Sequence, residues 1–165
     1  MPEHPLDRRD GRAVKTAPTT VEVPIREAAT QDAPQLAELT TQLGYPVKAD
    51  AMRARLERLV GRSDDVVLVA VDGHDAPIGW IHVAMLALLE HSDYASINGL
   101  VVDEAHRSRG IGQALVAAAE AWARDRGAAQ LTVRSRSTRQ RAHRFYERLG
   151  YAQVKLSHVF AKPLV

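Results

Sequence analysis

Two glycines stand one residue apart within a basic run, in the stretch HRSRGIGQAL at positions 106–115. Glycine has no Cβ, so a ligand can come close to the backbone at Gly110 and Gly112. Arg107 and Arg109 add positive charge and guanidinium donors beside them. An apolar run precedes the loop and a helical pattern follows it, so the loop leads into a helix whose first amides and dipole favour an anion. These residue types therefore predict a site for a phosphate or pyrophosphate.

The spacing of the two glycines can be compared with the sequence patterns of three known phosphate-binding loops. The P-loop pattern is absent, because no Lys-Ser or Lys-Thr pair follows the glycines. The dinucleotide pattern G-x-G-x-x-G fits both glycines, but Leu115 stands where the third glycine belongs. A third pattern has Arg or Gln, then any two residues, then Gly, any residue, and Gly or Ala. RSRGIG, Arg107–Gly112, matches it in full.

Length and composition limit the classes of protein to consider. The chain of 165 residues, 45% hydrophobic and 25% charged, is typical of a globular protein with one core. It has no cysteine, which excludes disulfides and cysteine-based metal sites or nucleophiles. No apolar run reaches the ~20 residues of a membrane span, and the N-terminus lacks a secretory signal, so we expect a cytoplasmic protein without membrane contact. A net charge of +2 gives little reason to expect a nucleic-acid partner.

Apolar periodicity predicts the element order β-α-α-β-β-β-α-β-α-β. The runs at 64–72 and 78–86 predict an antiparallel hairpin, and YAQVKLSHVFAKPLV at 151–165 predicts one or two closing strands. This order predicts an α/β or α+β sandwich. We expect residues 1–20 to be a flexible arm and residues 21–165 to form a single domain.

A second motif, RAHRFYERLGY at 141–151, follows the glycine loop after one predicted strand. The segment at 100–128 and this motif together resemble the GNAT superfamily of acetyl-CoA-dependent N-acetyltransferases, the small-molecule type more than the histone type. The similarity extends from about Val23 to the C-terminus. It implies an α/β (α+β) fold with a mixed, mostly antiparallel central sheet of about six or seven strands and about four flanking helices.

The resemblance also implies acetyl-CoA as co-substrate. The seven histidines are scattered and no H-E-x-x-H pattern is present, so we expect no metal. The pyrophosphate would lie on the amides of the glycine loop, and the pantetheine arm would run beside the strand that precedes it. Arg139 stands where relatives often carry asparagine, and its side chain could reach a coenzyme phosphate. The residues implied to bind the coenzyme are Leu100, Val101, Val102, Arg107, Ser108, Arg109, Gly110, Ile111, Gly112, Gln113 and Arg139.

Acetyl transfer by direct attack of an amine needs a base for the amine, polarisation of the thioester carbonyl and a proton for the departing thiolate. The resemblance places Tyr146 as that general acid. Many relatives carry a glutamate base at the position of Asn98 or its neighbour Ser96. Because neither is a carboxylate, Asn98 is expected to position water or substrate. Further candidates for the base are His82 and three residues of a polar loop, Glu90, His91 and Asp93.

Several questions about partners stay open at this level. The acceptor is expected to be a small-molecule primary amine; the acidic loop would suit a cation, whereas the arginines would suit a phosphonate. Arg141, Arg144 and Arg148 share a helix face that is either solvated or in contact with the coenzyme 3′-phosphate, and nucleic-acid binding is a third alternative that no reader motif supports. The alternative function is a non-catalytic acyl-CoA sensor, favoured by the missing carboxylate at Asn98. A homodimer formed through the C-terminal strands is expected from the family alone.

Overall fold

A five-stranded sheet with helices on both faces forms the framework of the protein. The computed structural model describes residues 22–164, so the predicted arm at 1–20 lies outside the described residues. The strands are β1 Ile25–Glu27, β2 Asp65–Val71, β3 Pro77–Leu86, β4 Tyr94–Val102 and β5 Leu131–Val133. The helices are α1 Ala33–Gln42, α2 Ala49–Leu59, α3 Ile111–Asp125 and α4 Gln140–Arg148.

The strands lie side by side in the order of the chain, β1-β2-β3-β4-β5. All neighbours pair antiparallel except β4 and β5, which are parallel. The parallel pair is possible because α3 carries the chain back across one face of the sheet. The mixed, mostly antiparallel sheet, the four helices and the β2–β3 hairpin confirm the predicted fold class.

The strand count is lower than the predicted six or seven. Within the described residues, the segment 152–164 forms no strand, so the expected closing strands are absent there. Val154, Leu156 and Phe160 are 86%, 79% and 93% exposed. Apolar alternation provides a strand with a face to bury, but pairing needs a neighbouring edge, and this segment pairs with none within residues 22–164.

Alternation along the central strands divides the core into two layers. Ile81 and Val83 of β3 are fully buried on the face covered by α3, where Leu115 and Val116 meet them. Trp80 points to the other face, among the apolar residues of α1 and α2. By the same alternation His82 lies on the side of Trp80. The two helix layers thus cover both faces of the sheet.

A β-bulge interrupts β4 near its centre. His82 pairs with Gly99, but the next residue of β3, Val83, pairs with Ile97, so Asn98 is an extra residue in the ladder. A bulge bends its strand and increases the local twist. Beyond the bulge, β4 therefore runs in a new direction.

The pairing of β4 with β5 stops where the bulge begins. The two strands are in register only over residues 95–97 of β4 and 131–133 of β5. The second half of β4, from Asn98 to Val102, therefore has no β5 neighbour along that edge. Its amides and carbonyls on this side face a gap between the two strands.

Gly99 is needed beside the bulge for a steric reason. A Cβ on this residue would lie 2.7 Å from two ring atoms of Trp80. The indole thus covers the backbone of β4, and its buried Nε1 has no hydrogen-bond acceptor among the described residues. Trp80 fixes the bent half of β4 against the α1–α2 layer.

None of the described helices is long and apolar enough to cross a membrane. The cytoplasmic location stays a prediction.

Candidate active site

The loop after β4 is anchored to the C-terminal end of α1. Gln42 Nε2 donates to Asp103 Oδ1 at 2.9 Å, and the Glu104 amide donates to Gln42 Oε1 at 3.0 Å. The hydrogen bond from Gln42 and that with His106, 2.6 Å from Asp103 Oδ2, hold the pKa of Asp103 below its usual value. These contacts fix the start of the glycine loop relative to the sheet.

Gly110 provides the turn into α3. It is the residue that caps the helix, with φ 80° and ψ 0°, a left-handed conformation that favours glycine. Ser108 also has a positive φ, of 63°, which could not be predicted from its position in the sequence. The first amides of α3 have no partner within the helix and point out of its end. The loop therefore brings the free amides of the helix start beside Gly110, and its use as a phosphate site stays a prediction.

Gly112 has a second role that sequence reasoning missed. A Cβ at this position would lie 3.3 Å from Cζ of Phe145, so the glycine lets α3 approach α4 closely. The two sequence motifs, one around Gly112 and the other around Phe145, are thus in direct contact. The apolar stripe of α4 indicates from the sequence that Phe145 packs against another element. Residue spacing does not identify that element as α3.

The two arginines of the glycine loop differ in their surroundings. Arg107 Nε donates to the carbonyl of Val102 at 3.0 Å, and its Nη1 lies 3.4 Å from Glu104. Arg107 therefore connects the end of β4 to the loop. Arg109 is exposed at the loop surface.

A cleft of about 160 Å³ opens where β4 and β5 separate. The bulge and the residues around it line one wall, and the end of β5 with the loop that follows lines another. Arg139, Ala142 and Tyr146 line it from α4 and its approach, and Leu43 and Tyr45 from the α1–α2 turn. Four predicted site residues meet here: Asn98, Leu100, Arg139 and Tyr146.

Tyr146 is largely buried in the cleft wall. Its ring makes edge-to-face contacts with Phe145 and Tyr151, with centroids 5.1 Å and 5.6 Å apart. Burial raises the pKa of Tyr146 to about 12, although the positive charge of Arg139 acts in the opposite direction. The hydroxyl therefore carries its proton at neutral pH and is available as a donor.

The candidate bases lie in different places. Asn98 is exposed in the cleft, whereas Ser96 is 6% exposed. His82 Nε2 lies 3.2 Å from Asp65 Oδ1 and does not line the cleft. The loop residues Glu90, His91 and Asp93 are exposed and also lie outside its lining. The identity of the base stays a prediction.

The α1–α2 turn contributes residues that sequence reasoning missed. Arg136 Nη2 donates to the hydroxyl of Tyr45 at 3.4 Å, and Arg139 Nη2 donates to the carbonyl of Leu43 at 3.2 Å. In the sequence, Tyr45 belongs to a G-Y-P helix break that marks only a turn. Its approach to Arg136, 91 positions later, depends on the tertiary fold.

A larger cavity of about 260 Å³ lies elsewhere, lined in part by Arg62, Asp65, Trp122 and Arg126. It contains none of the residues that the two motifs single out. Within residues 22–164, no three His, Cys, Asp or Glu side chains lie together as metal ligands would.

A known protein family matches the part of the chain that forms the cleft and the glycine loop. A model described as the acetyltransferase (GNAT) family matches residues 32–151, which include both motifs, the bulge and the cleft. The chain belongs to the GNAT acetyltransferase family.

Known relatives show how far the likeness extends. The aminoglycoside N(6')-acetyltransferase type 1 of Stenotrophomonas maltophilia is 28% identical over 155 residues, 92% of this chain and 97% of that protein. A transcriptional regulator from Bacillus halodurans C-125 superimposes with a TM-score of 0.74 at 25% identity, covering 84% of this chain and 99% of that one. AAC(6')-Iy, in complex with the bisubstrate analog CoA-S-monomethyl-acetylneamine, gives a TM-score of 0.75 at 18% identity, covering 86% and 98%. These structures share the fold.

Burial of Tyr146 leads to a testable pH behaviour. At about pH 11 the folded protein should keep this hydroxyl mostly protonated, whereas the urea-unfolded chain should be mostly ionised, since free tyrosine has a pKa of ~10. The ultraviolet phenolate signal of the wild type minus that of Tyr146→Phe isolates the group. Because the folded pKa is the higher one, its contribution to stability is full below pH ~10 and is lost as pH rises towards about 12. A phenolate difference signal near pH 10 in the folded protein would contradict this burial.

Proposed function

We propose that the protein transfers an acetyl group from acetyl-CoA to a primary amine of a small molecule by direct attack of the amine. The observation that carries the proposal is the separation of β4 from β5 after Ile97, with the glycine loop at the far end of the same strand. Tyr146 and Asn98 lie in the cleft that this separation opens. The family match and the similarity to the aminoglycoside acetyltransferase support an acetyltransferase with a small-molecule acceptor.

Acetyl-CoA fits the open edge of β4 and the loop that follows it. The pantetheine arm carries amide groups, and the backbone of Leu100–Val102 has no β5 partner to compete for them. The pyrophosphate would lie on the amides of Arg109–Gln113, with the guanidinium of Arg107 nearby and Ser108 shaping the turn. Arg139 stands beside Tyr146 and would lie near the thioester end.

Tyr146 would act as general acid. Its protonated hydroxyl would donate to the thiolate as the bond between the acetyl carbon and sulfur breaks. Asn98, exposed at the bulge, would hold a water or the incoming amine, and a water path would carry the amine's proton away. His82 is the side-chain alternative for the base, and it would need water to bridge to the cleft.

We further propose that residues 21–165 form one N-acetyltransferase domain that assembles into a homodimer. The exposed apolar side chains of the segment 152–164 support this, because such a patch commonly marks an interface. Within residues 22–164 no strand pairs with the outer edge of β5, so a strand from a second copy could pair there. Light scattering should give twice the chain mass of 18.1 kDa, and Leu156→Asp with Phe160→Asp should give the monomer. A wild-type monomer at high concentration would refute the assembly.

An acyl-CoA sensor without turnover is the competing function. It is favoured by the amide of Asn98, which cannot take a proton as a carboxylate would. It predicts tight coenzyme binding with no amine-dependent release of thiol.

The Tyr146→Phe variant tests the enzymatic proposal. Loss of the proton donor should lower kcat by about 10²–10⁴-fold and leave the dissociation constant of acetyl-CoA unchanged, because the ring and its packing remain. The measurement is amine-dependent thiol release, with coenzyme affinity measured in parallel. Tyr94→Phe, which removes a hydroxyl at the start of β4 outside the cleft, is the matched control and should behave as wild type.

Two outcomes would count against the role of Tyr146. An unchanged kcat in Tyr146→Phe would exclude it as the acid. Tight coenzyme binding without turnover across a broad panel of amines, aminoglycosides included, would favour the sensor.

A further inference from the structure

Resting on the proposed function, we propose that the acceptor amine also carries an anionic group, a carboxylate or phosphonate, which Arg134 and Arg136 bind. This specifies the acceptor class, which the family match leaves open. A polycationic amine would be a poor acceptor for the same site.

All the charged residues that line the cleft are positive. Arg134, Arg136 and Arg139 line it, and no acidic residue does. The acidic side chains Glu90 and Asp93, which would have suited a cationic acceptor, are exposed outside the lining. An anion entering the cleft therefore meets positive charge only, whereas a polycation is repelled.

The loop that carries these arginines is held in place. The carbonyl of Arg136 accepts from the Arg139 amide at 3.0 Å and interacts with His143 Nε2 at 2.9 Å. The guanidinium of Arg136 reaches the hydroxyl of Tyr45 across the cleft, and that of Arg139 reaches the carbonyl of Leu43. Binding an anion would therefore require little reordering of this wall.

The positive charge is not neutralised within the described part of the chain. Over residues 22–164, the carboxylate ion pairs involve Arg26, Arg62, Arg107, His82 and His106, and none includes an arginine of the cleft wall. The contacts that Arg136 and Arg139 do make are to a neutral hydroxyl and a neutral carbonyl. A ligand carboxylate or phosphonate would provide the charged partner that a guanidinium binds most strongly.

The phosphates of the coenzyme do not account for these arginines. On β4 the cleft lining reaches only to Leu100, while the glycine loop begins beyond Val102 and has Arg107 and Arg109 of its own. The wall with Arg134 and Arg136 lies beside Tyr45 of the α1–α2 turn, and the lining of this cleft includes no residue of the glycine loop.

The third arginine of the cleft wall, Arg139, would assist the chemistry. Its guanidinium is not assigned to the acceptor's anion, so it would disfavour the charged ammonium form of a bound amine and lower the amine's pKa. The acceptor then loses its proton to water more easily, which matters in a site where Asn98 replaces a carboxylate base. Specificity and activation would thus arise from one feature.

The test compares primary amines with and without an anionic group, and β-alanine and β-alaninamide are the pair of nearly equal shape. Thiol release from acetyl-CoA is measured with β-alanine, β-alaninamide, aminoethylphosphonate and an aminoglycoside. We expect kcat/KM for the two anionic amines to exceed that for the amide and the aminoglycoside by at least about tenfold, the factor of one charge-assisted hydrogen bond. Arg136→Glu should remove this preference, because kcat/KM should fall at least about tenfold further for the two anionic amines than for β-alaninamide.

Arg55→Glu makes the same charge change on the exposed side of α2, away from the cleft, and should leave every ratio as in the wild type. Equal or better turnover of the amide or the aminoglycoside overturns the anionic acceptor and leaves acetyl transfer standing. An equal loss for all amines in Arg136→Glu also overturns it, because the arginine would then serve the coenzyme or the fold. Absence of turnover with every amine overturns the proposed function itself.

Discussion

The bulge at Asn98 is the feature on which the rest of the site depends. Because one extra residue stands opposite the β3 ladder, β4 bends away, and β5 can pair with it only over residues 95–97. The bend creates a gap and an edge of backbone groups without a β5 partner, which the proposed coenzyme arm would occupy. Trp80, packed on Gly99, keeps the bent strand against the α1–α2 layer.

The other elements position the glycine loop and Tyr146 around that gap. Gln42 at the end of α1 holds the loop after β4, so that Gly110 can turn the chain into α3 with its amides outward. The contact between Gly112 and Phe145 then brings α4 against α3, which sets Tyr146 in the cleft wall in its protonated form. The proposed phosphate site and the proposed proton donor are thus connected through one close helix contact. Arg134, Arg136 and Arg139 line the cleft and give it positive charge.

Local features of the site were predictable from sequence, whereas its long-range pairings were not. The glycine loop, the helix of Tyr146 and the β2–β3 hairpin follow from motif spacing and periodicity, which short stretches determine. The bulge leaves no such trace, because it depends on the register of two strands. The meeting of Tyr45 with Arg136 depends on packing across distant positions. Alternation in the last segment predicted strands that the described chain does not form, because a strand also requires an edge to pair with.

The most direct test of the central claim is calorimetric titration of acetyl-CoA into the wild type and into Gly110→Asp. That substitution places a carboxylate and a strained φ at the entrance of α3, where no neighbouring atom lies within 4 Å of the new Cβ, so the core is left intact. Gly73→Asp makes the same chemical change in the open β2–β3 turn. We predict tight binding by the wild type and Gly73→Asp, and at least about a hundredfold weaker binding by Gly110→Asp. That factor corresponds to the loss of about two charge-assisted hydrogen bonds. Equal affinity in all three proteins, or no binding by the wild type, would contradict the claim that the glycine loop and the open edge of β4 hold the coenzyme.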